Sequence, residues 1–375
     1  MNRQRIVIGM LDGFGLPYYD ATPLPTLNDM ARNGLFQRAR CVFPSVTNVN
    51  NVSIATASWP REHGITANSY YDEQSGVARY MNAGGLIGAR TIFRWARDRG
   101  VRSALLTAKR KSVELFEKEV DLAVTAEAPP PDFVERYGPP AGIYSREINY
   151  WLWRVAASLL RSHPEIGLMY VHTTDYPMHR WAPEELESIE HLCEIDGWLG
   201  ACREAAPDAT FFLTADHGMN AKTRCWNLAR VCEEAGVPVR FVLSHERDYY
   251  IAHHRNYTGC AWVWLQDPYS ANGVRRVLEK LAGVDAVLGR AECAERFHTR
   301  PERIGDLNVM GDRRTMFGDC DATLEALPPG YRAHGSLHEM DVPVLIYNYG
   351  GVLPEASFFE SNKDLTAVLL RDRRV

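Results

Sequence analysis

The chain is poor in lysine. Of its 42 basic residues only six are lysine, at 109, 111, 118, 222, 280 and 363, and the other 36 are arginine. No dense basic run occurs and the formal net charge is −5, so the electrostatic footprint of a nucleic-acid binder is missing. Any anion this protein binds must therefore be met by a local site. The eight cysteines are scattered without one Cys-x-x-Cys pair. That excludes a thiolate metal site or a disulfide frame and reads as reduced, mostly buried thiols. No segment approaches the roughly 18 uninterrupted apolar residues of a membrane span. The apolar run that starts at Ile6 is too short for a signal-peptide core and lacks a small-residue cleavage site. These absences lead to the expectation of a cytoplasmic enzyme that meets neither nucleic acid nor membrane.

What is present reads as an ordinary globular protein, with 46% hydrophobic and 24% charged residues. A length of 375 residues exceeds one usual core and implies a large domain with a smaller one added. "RIVIGMLD", "RSALLTAK", "IGLMYVHTTD" and "ATFFLTADHG" are each an apolar strand with polar residues at its C-terminal end. Between them lie helical stretches such as "TIFRWARDRG", closed by Gly100, and "EINYWLWRVAASLLRSH". Strands alternating with amphipathic helices predict an α/β fold, a mostly parallel sheet flanked by helices. In such sheets ligands gather at the carboxyl ends of the strands. Residues 224–330 mix strands and helices without acid-tipped ends and are expected to form an inserted α/β cap. Residues 1–223 and 331–375 then make the catalytic core, with "YRAHGSLHEMDVPVLIYN" returning to its sheet. The Pro-rich stretch 127–142 is expected to be a loop within the core.

Strand-end groups carry the chemistry. They are Asp12, Asp175 with His179, the pair Asp216-His217, and His334. Carboxylates and imidazoles without thiolates suit zinc or a similar divalent ion, and the i, i+4 spacing of Asp175 and His179 lets one helical turn present both. Six ligands suit two sites of three, and two ions roughly 4 Å apart form a clamp for in-line displacement at phosphorus. The stretch "FPSVTNVNNVSIAT" then makes sense. Thr47 offers the hydroxyl an ion could bind and ionise, making it the nucleophile. Asn50 or a neighbour offers an amide N–H toward the developing oxyanion, and Asn68 is a second candidate donor. His172, His191, His253, His254 and His338 read as cap or surface histidines.

These residues resemble the alkaline phosphatase superfamily, in the branch of nucleotide pyrophosphatase/phosphodiesterases and the phosphonoacetate hydrolase family. "PSVTNVNNVSIAT", "HGITANSYYD", "ARTIF", "VRSALLTAKRK", "MYVHTTDYPMH", "TADHGMNAKT", "RIGDLNVMG" and "RAHGSLHEMDVP" carry the resemblance, in order, from residue 6 to about 348. It implies an alkaline-phosphatase-like core and two zinc ions (Zn2+, with Mn2+ or Fe2+ as substitutes). One ion is held by Asp175, His179 and His334, the other by Asp12, Asp216 and His217 with Thr47. It further implies that Asn68, Lys109 and Lys111 hold a small anionic phosphonate. The reaction implied is hydrolysis of the C–P bond of phosphonoacetate, or a close carboxylated phosphonate, through a phospho-threonine. The alternative is hydrolysis of phosphodiesters or phosphonate monoesters at the same ions. Oligomeric state is left open, a homodimer included. Four places depart from the family: Arg110 between the lysines, which makes that corner more positive; Ser58-Trp59; Ser336; and Tyr70-Tyr71.

Overall fold

The structure is a computed structural model that describes residues 4–371. Eleven strands carry the fold. Six precede residue 224: β1 (Ile6–Met10), β2 (Leu35–Arg40), β3 (Arg102–Thr107), β4 (Leu122–Thr125), β5 (Ile166–His172) and β6 (Thr210–Thr214). Four lie together further on: β7 (Val239–Ser244), β8 (Cys260–Leu265), β9 (Val284–Gly289) and β10 (Leu307–Gly311). The last, β11 (Asp341–Tyr347), follows them.

The central sheet has the order β2-β11-β6-β1-β5-β3-β4. β1 is flanked in parallel by β5 and β6, and β3 by β4 and β5. Only β11 runs antiparallel, between β2 and β6. Both faces are covered, so strand residues alternate between two cores as the two-residue period demands. Val7 enters the core beneath helices Glu147–Ser162 and Leu186–Ala205, whereas Ile8 and Met10 enter the one beneath Thr47–Thr56 and Ile92–Arg97. The helix Glu147–Ser162 buries Ile148, Trp151, Leu152, Val155, Ala156 and Leu159, the three- and four-residue spacing of one helical face. Two expectations change in detail. The stretch 127–142 is not all loop: Pro131–Tyr137 is helical, with proline at its first turn and Asp132 on the positive helix end. The alternation fails on β11, which returns antiparallel; its direction depends on where the preceding chain leaves it.

Strands β7 to β10 form a separate antiparallel sheet in the order β7-β8-β10-β9. Ala261, Val263, Val287 and Val309 on one face pack with Leu228, Val231, Val274 and Leu278 of two helices. The opposite face, with Leu243, Trp262, Trp264 and Met310, belongs to the same hydrophobic cluster as the core. Phe43 stacks on Phe297 with centroids 4.1 Å apart, and Tyr71 on Phe241 at 4.5 Å. The small sheet is thereby pressed onto the edge where β1, β5 and β6 end. Among the described residues no helix is long and apolar enough to cross a membrane, and all eight cysteines are free, seven of them buried.

Candidate active site

Three neighbouring strands end in acids, and short local devices aim them. After β1, the Asp12 N–H donates to Thr173 Oγ1 (2.9 Å) and the Gly13 N–H to Asp216 Oδ1 (3.0 Å). Gly13 has φ +76°, and a Cβ there would lie 3.0 Å from Asp175 Cβ, so the tight turn and the close approach both call for glycine. Asp175 is the first-turn cap of the helix Tyr176–Arg180, which carries His179 one turn on. His334 precedes Gly335 (φ +101°), where a Cβ would collide with Thr258 Oγ1.

These devices bring together the six acids and imidazoles singled out from the sequence, as two buried triplets: Asp12, Asp216, His217 and Asp175, His179, His334. In the first, His217 Nε2 lies 3.5 Å from Asp12 Oδ1 and 3.3 Å from Asp216 Oδ2. In the second, Asp175 Oδ2 lies 2.9 Å from His179 Nε2 and 3.5 Å from His334 Nε2. All three imidazoles are oriented alike. Nδ1 meets a backbone carbonyl, Gly218 O for His217 (2.9 Å), Arg332 O for His179 (2.7 Å) and Ser45 O for His334 (2.8 Å). Nε2 points inward, the orientation that presents a neutral ring to a metal.

The donor set fits divalent ions on a second ground. Asp12 Oδ1, Asp216 Oδ2, His217 Nε2 and His334 Nε2 are fully buried and have no hydrogen-bond partner. Buried polar atoms left unmatched are costly, and here they converge. Charge tells the same story. Burial and the adjacent Asp12 carboxylate push the Asp216 carboxyl well above its usual range. Burial opposes charge on His334, but Glu246 and Asp175 outweigh it and lift that imidazole to about 9. Burial and the neighbouring His334 lower His217 to about 3. The two rings stack at 3.6 Å and 9°.

Thr47 opens the ten-residue helix Thr47–Thr56, where the positive helix end favours anions. Its Oγ1 is buried and without a partner. Ser45, two residues before it, accepts the His334 bond, and the Asn48 N–H just after it donates to Asn68 Oδ1 (3.1 Å). Asn50 is a correction. Its Nδ2 faces the carbonyls of Val42 (3.0 Å), Pro44 and Val46 (3.3 Å each). Its Oδ1 accepts from the Val42 N–H (2.7 Å) and Asn362 Nδ2 (3.0 Å). Every polar atom is spent holding the turn before the helix, so Asn50 does not face the site. Asn68 does, though its Nδ2 donates to Glu246 Oε1 (3.1 Å).

Lys109 is 98% buried, and its ammonium lies 2.9 Å from Asp12 Oδ2 and 2.9 Å from Asp175 Oδ1, between the two triplets. Lys111 pairs with Asp248 at 2.6 Å. Arg110 does not add positive charge there: its side chain is exposed and pairs with Glu114 (3.1 Å). Trp59 contacts His298 and Lys363, Tyr71 stacks on Phe241, and the Ser336 hydroxyl bonds Glu339.

The sequence reading missed part of the site. The small sheet does have an acid-tipped strand: β7 runs into His245, Glu246 and Asp248. Glu246 Oε2 lies 3.7 Å from His334 Nε2. Three histidines read as surface groups are buried against the site: His172 Nε2 is 3.5 Å from Asp12, His253 Nε2 3.6 Å from Asp175, and His254 Nε2 3.2 Å from Asp248. The density of acids and imidazoles in "SHERDYYIAHH" was the available signal. His191 and His338 lie elsewhere, against Tyr150 and Asp285.

A mostly parallel sheet bearing paired acid–imidazole triplets at its carboxyl edge is the alkaline-phosphatase-like architecture, that of a metal-binding hydrolase. The type I phosphodiesterase / nucleotide pyrophosphatase family model matches residues 6–336, and the chain belongs to that family. Among solved structures it is similar to phosphonoacetate hydrolase from Sinorhizobium meliloti 1021, in complexes with phosphonoformate and with phosphonoacetate. The identity is 30%, covering 97% of this chain and 94% of that one, at a TM-score of 0.87. Murine ectonucleotide pyrophosphatase/phosphodiesterase 5 shares the fold at a TM-score of 0.70 and 16% identity over 98% of this chain and 94% of that one. Among curated relatives, venom phosphodiesterase of Naja atra is 24% identical over 230 residues, 58% of this chain and 26% of that one. The human ectonucleotide pyrophosphatase/phosphodiesterase family member 7 is 25% identical over 233 residues, 58% and 48%. The matched region thus spans about half the length of those curated relatives or less.

Proposed function

We propose that this protein cleaves the carbon–phosphorus bond of phosphonoacetate, or of a close carboxylated phosphonate, with Thr47 as the nucleophile. The observation that carries this reading is the Lys109 ammonium, equidistant from an acid of each triplet. It puts a mobile point charge beside the spot where a phosphonate clamped by both triplets would sit. The structural likeness to a protein crystallised with phosphonoacetate and phosphonoformate supports the same choice.

Two divalent ions, zinc by expectation, would supply Lewis-acid charge to the Thr47 hydroxyl and to the phosphorus oxygens. Asp175, His179 and His334 would hold one, and Asp12, Asp216 and His217 the other. Thr47 Oγ1 gives up its proton to solvent and attacks phosphorus in line; the O–P bond forms as the C–P bond breaks. The electron pair left on carbon spreads into the adjacent carboxylate and is quenched by a solvent proton. Lys109 and Lys111 stabilise that developing enediolate, an interaction stronger in the transition state than in the ground state. With Asp12 and Asp175 holding ions, the Lys109 ammonium that now pairs with both would be free for this role. Water then cleaves the phospho-threonine to free phosphate. We assign this chemistry to residues 1–223 and 331–375, with 224–330 as the cap whose Asp248 braces Lys111.

The second reading, phosphodiester or phosphonate-monoester hydrolysis at the same groups, is favoured by the family match itself. Phosphate release from phosphonoacetate and nitrophenol release from a nitrophenyl phosphodiester separate the two. Lys109→Ala and Lys111→Ala should each lower the first rate roughly 100-fold and leave the second within a few-fold. A faster diester reaction that ignores both lysines reverses the order.

A further inference from the structure

Glu246 lies outside every role assigned above. It is 98% buried, and among the described residues its ion-pair contact is with His334, not with a lysine as Asp248 has in Lys111. Its Oε1 accepts from Asn68 Nδ2 at 3.1 Å, while its Oε2 has no hydrogen-bond partner. His334 Nε2 lies 3.7 Å from that oxygen and is equally without a partner. A buried carboxylate oxygen and a buried ring nitrogen thus face each other without a hydrogen-bond partner, and a cation between them would satisfy both. We infer that Glu246 is a fourth ligand to the ion held by Asp175, His179 and His334.

His334 stands close enough to both acids to share an ion with each. Two ligands of one ion bound at about 2.1 Å stand at most about 4.2 Å apart. The separations of His334 Nε2 from Asp175 Oδ2 and from Glu246 Oε2, 3.5 and 3.7 Å, both fall inside that limit. Charge balance between the two sites points the same way. The triplet of Asp12, Asp216 and His217 offers two carboxylates to a dication, whereas Asp175, His179 and His334 offer one. Glu246 makes the two sites equal. The neighbouring acid does not compete for the role, because Asp248 is already saturated. Its Oδ2 takes Lys111 at 2.6 Å, and its Oδ1 takes the Tyr250 N–H at 2.6 Å and His254 Nε2 at 3.2 Å. His254 Nδ1 accepts from the Asn256 N–H (2.9 Å), which fixes Nε2–H as a donor and removes it as a ligand. Asn68 therefore gains a second task. Anchored to the nucleophile helix through the Asn48 N–H, it aims the Glu246 carboxylate.

The inference rests on reading that triplet as an ion site and not on the choice of substrate. The test is zinc titration of the ion-free protein against a chromophoric chelator, with cobalt absorption spectra alongside. Wild-type protein should take two ions. Glu246→Gln should weaken one of them by roughly 10- to 100-fold, leave the other unchanged and alter the cobalt bands of the weakened site only. Asp175→Asn should weaken the same ion, which identifies it. Glu246→Asp, charged but shorter, should fall between; it also serves if the glutamine variant folds poorly, as judged by its ion-free melting curve. Unchanged affinities and spectra in Glu246→Gln overturn the inference alone. Fewer than two ions on wild-type protein overturn the parent reading with it.

Discussion

The two triplets use the same residue types but differ in their surroundings. Asp12, Asp216 and His217 come from the ends of adjacent parallel strands, β1 and β6, and lean on each other through Gly13. Asp175 and His179 come from a helical turn after β5 and His334 from a segment 155 to 159 residues further on, and they face the small sheet. The first is a product of the central sheet alone. The second is completed by a partner surface carrying Glu246, Asp248, His253 and His254. One sheet edge can therefore give a half-site built by the sheet itself and a half-site whose outer wall is set by another element. A change of substrate is more easily accommodated at the second.

The sharpest way to break this comparison is to remove the proposed nucleophile. Thr47→Val should reduce turnover by roughly 10⁴-fold or more, measured as phosphate release, while both ions still bind. Normal turnover would dissolve the scheme. Next in size is a paired test of the halves: Asp12→Asn and Asp175→Asn should each lose one tightly bound ion, read by metal analysis of desalted protein. A loss of both ions from either variant would mean the triplets form one coupled site rather than two.

Smaller and of a different kind is Asn50→Ala. Because Asn50 ties the Val42–Val46 turn together, the expected cost is about 1–3 kcal/mol of folding stability from denaturant titration, with substrate affinity little changed. A large fall in turnover with full stability would return Asn50 to the site. The last prediction contrasts imidazoles inside the site with those outside it. Burial lowers His63 and His191 to about 3, and no ion is expected at either. Their unfolded value is about 6.5. The unfolded chain therefore takes up protons first as pH falls. The stability is fully present above about pH 6.5 and is lost progressively down to about pH 3. Each group should contribute about 1.4 kcal/mol per pH unit in that window. His191→Gln should flatten the stability–pH curve by that slope between pH 6 and 4; an unchanged curve would show that the ring is already accessible to protons.

Much of the frame was legible. Apolar runs ending in polar residues gave β1, β3, β5 and β6, and Asp175 with His179 reads as one helical turn, because both depend on spacing within a few residues. Asn50 was misread for a physical reason. An amide beside a nucleophile and an amide that ties a turn have the same local sequence, and only its partners, Val42 and Asn362, tell them apart. Arg110 was misread likewise, since residue type says nothing about which way a long side chain faces.

The sequence by itself determined the chemical inventory: acids and imidazoles at strand ends, one threonine before a helix, two lysines in an arginine-rich chain, and the α/β period. Tertiary structure alone decided which of those groups meet. It set the order β6-β1-β5 that joins Asp12 to Asp216, the Lys109 ammonium between the triplets, and the approach of Glu246 to His334. Periodicity is enforced by neighbours along the chain. Convergence of groups many tens to hundreds of residues apart is enforced by sheet order and by packing one apolar face on another, which no local stretch encodes.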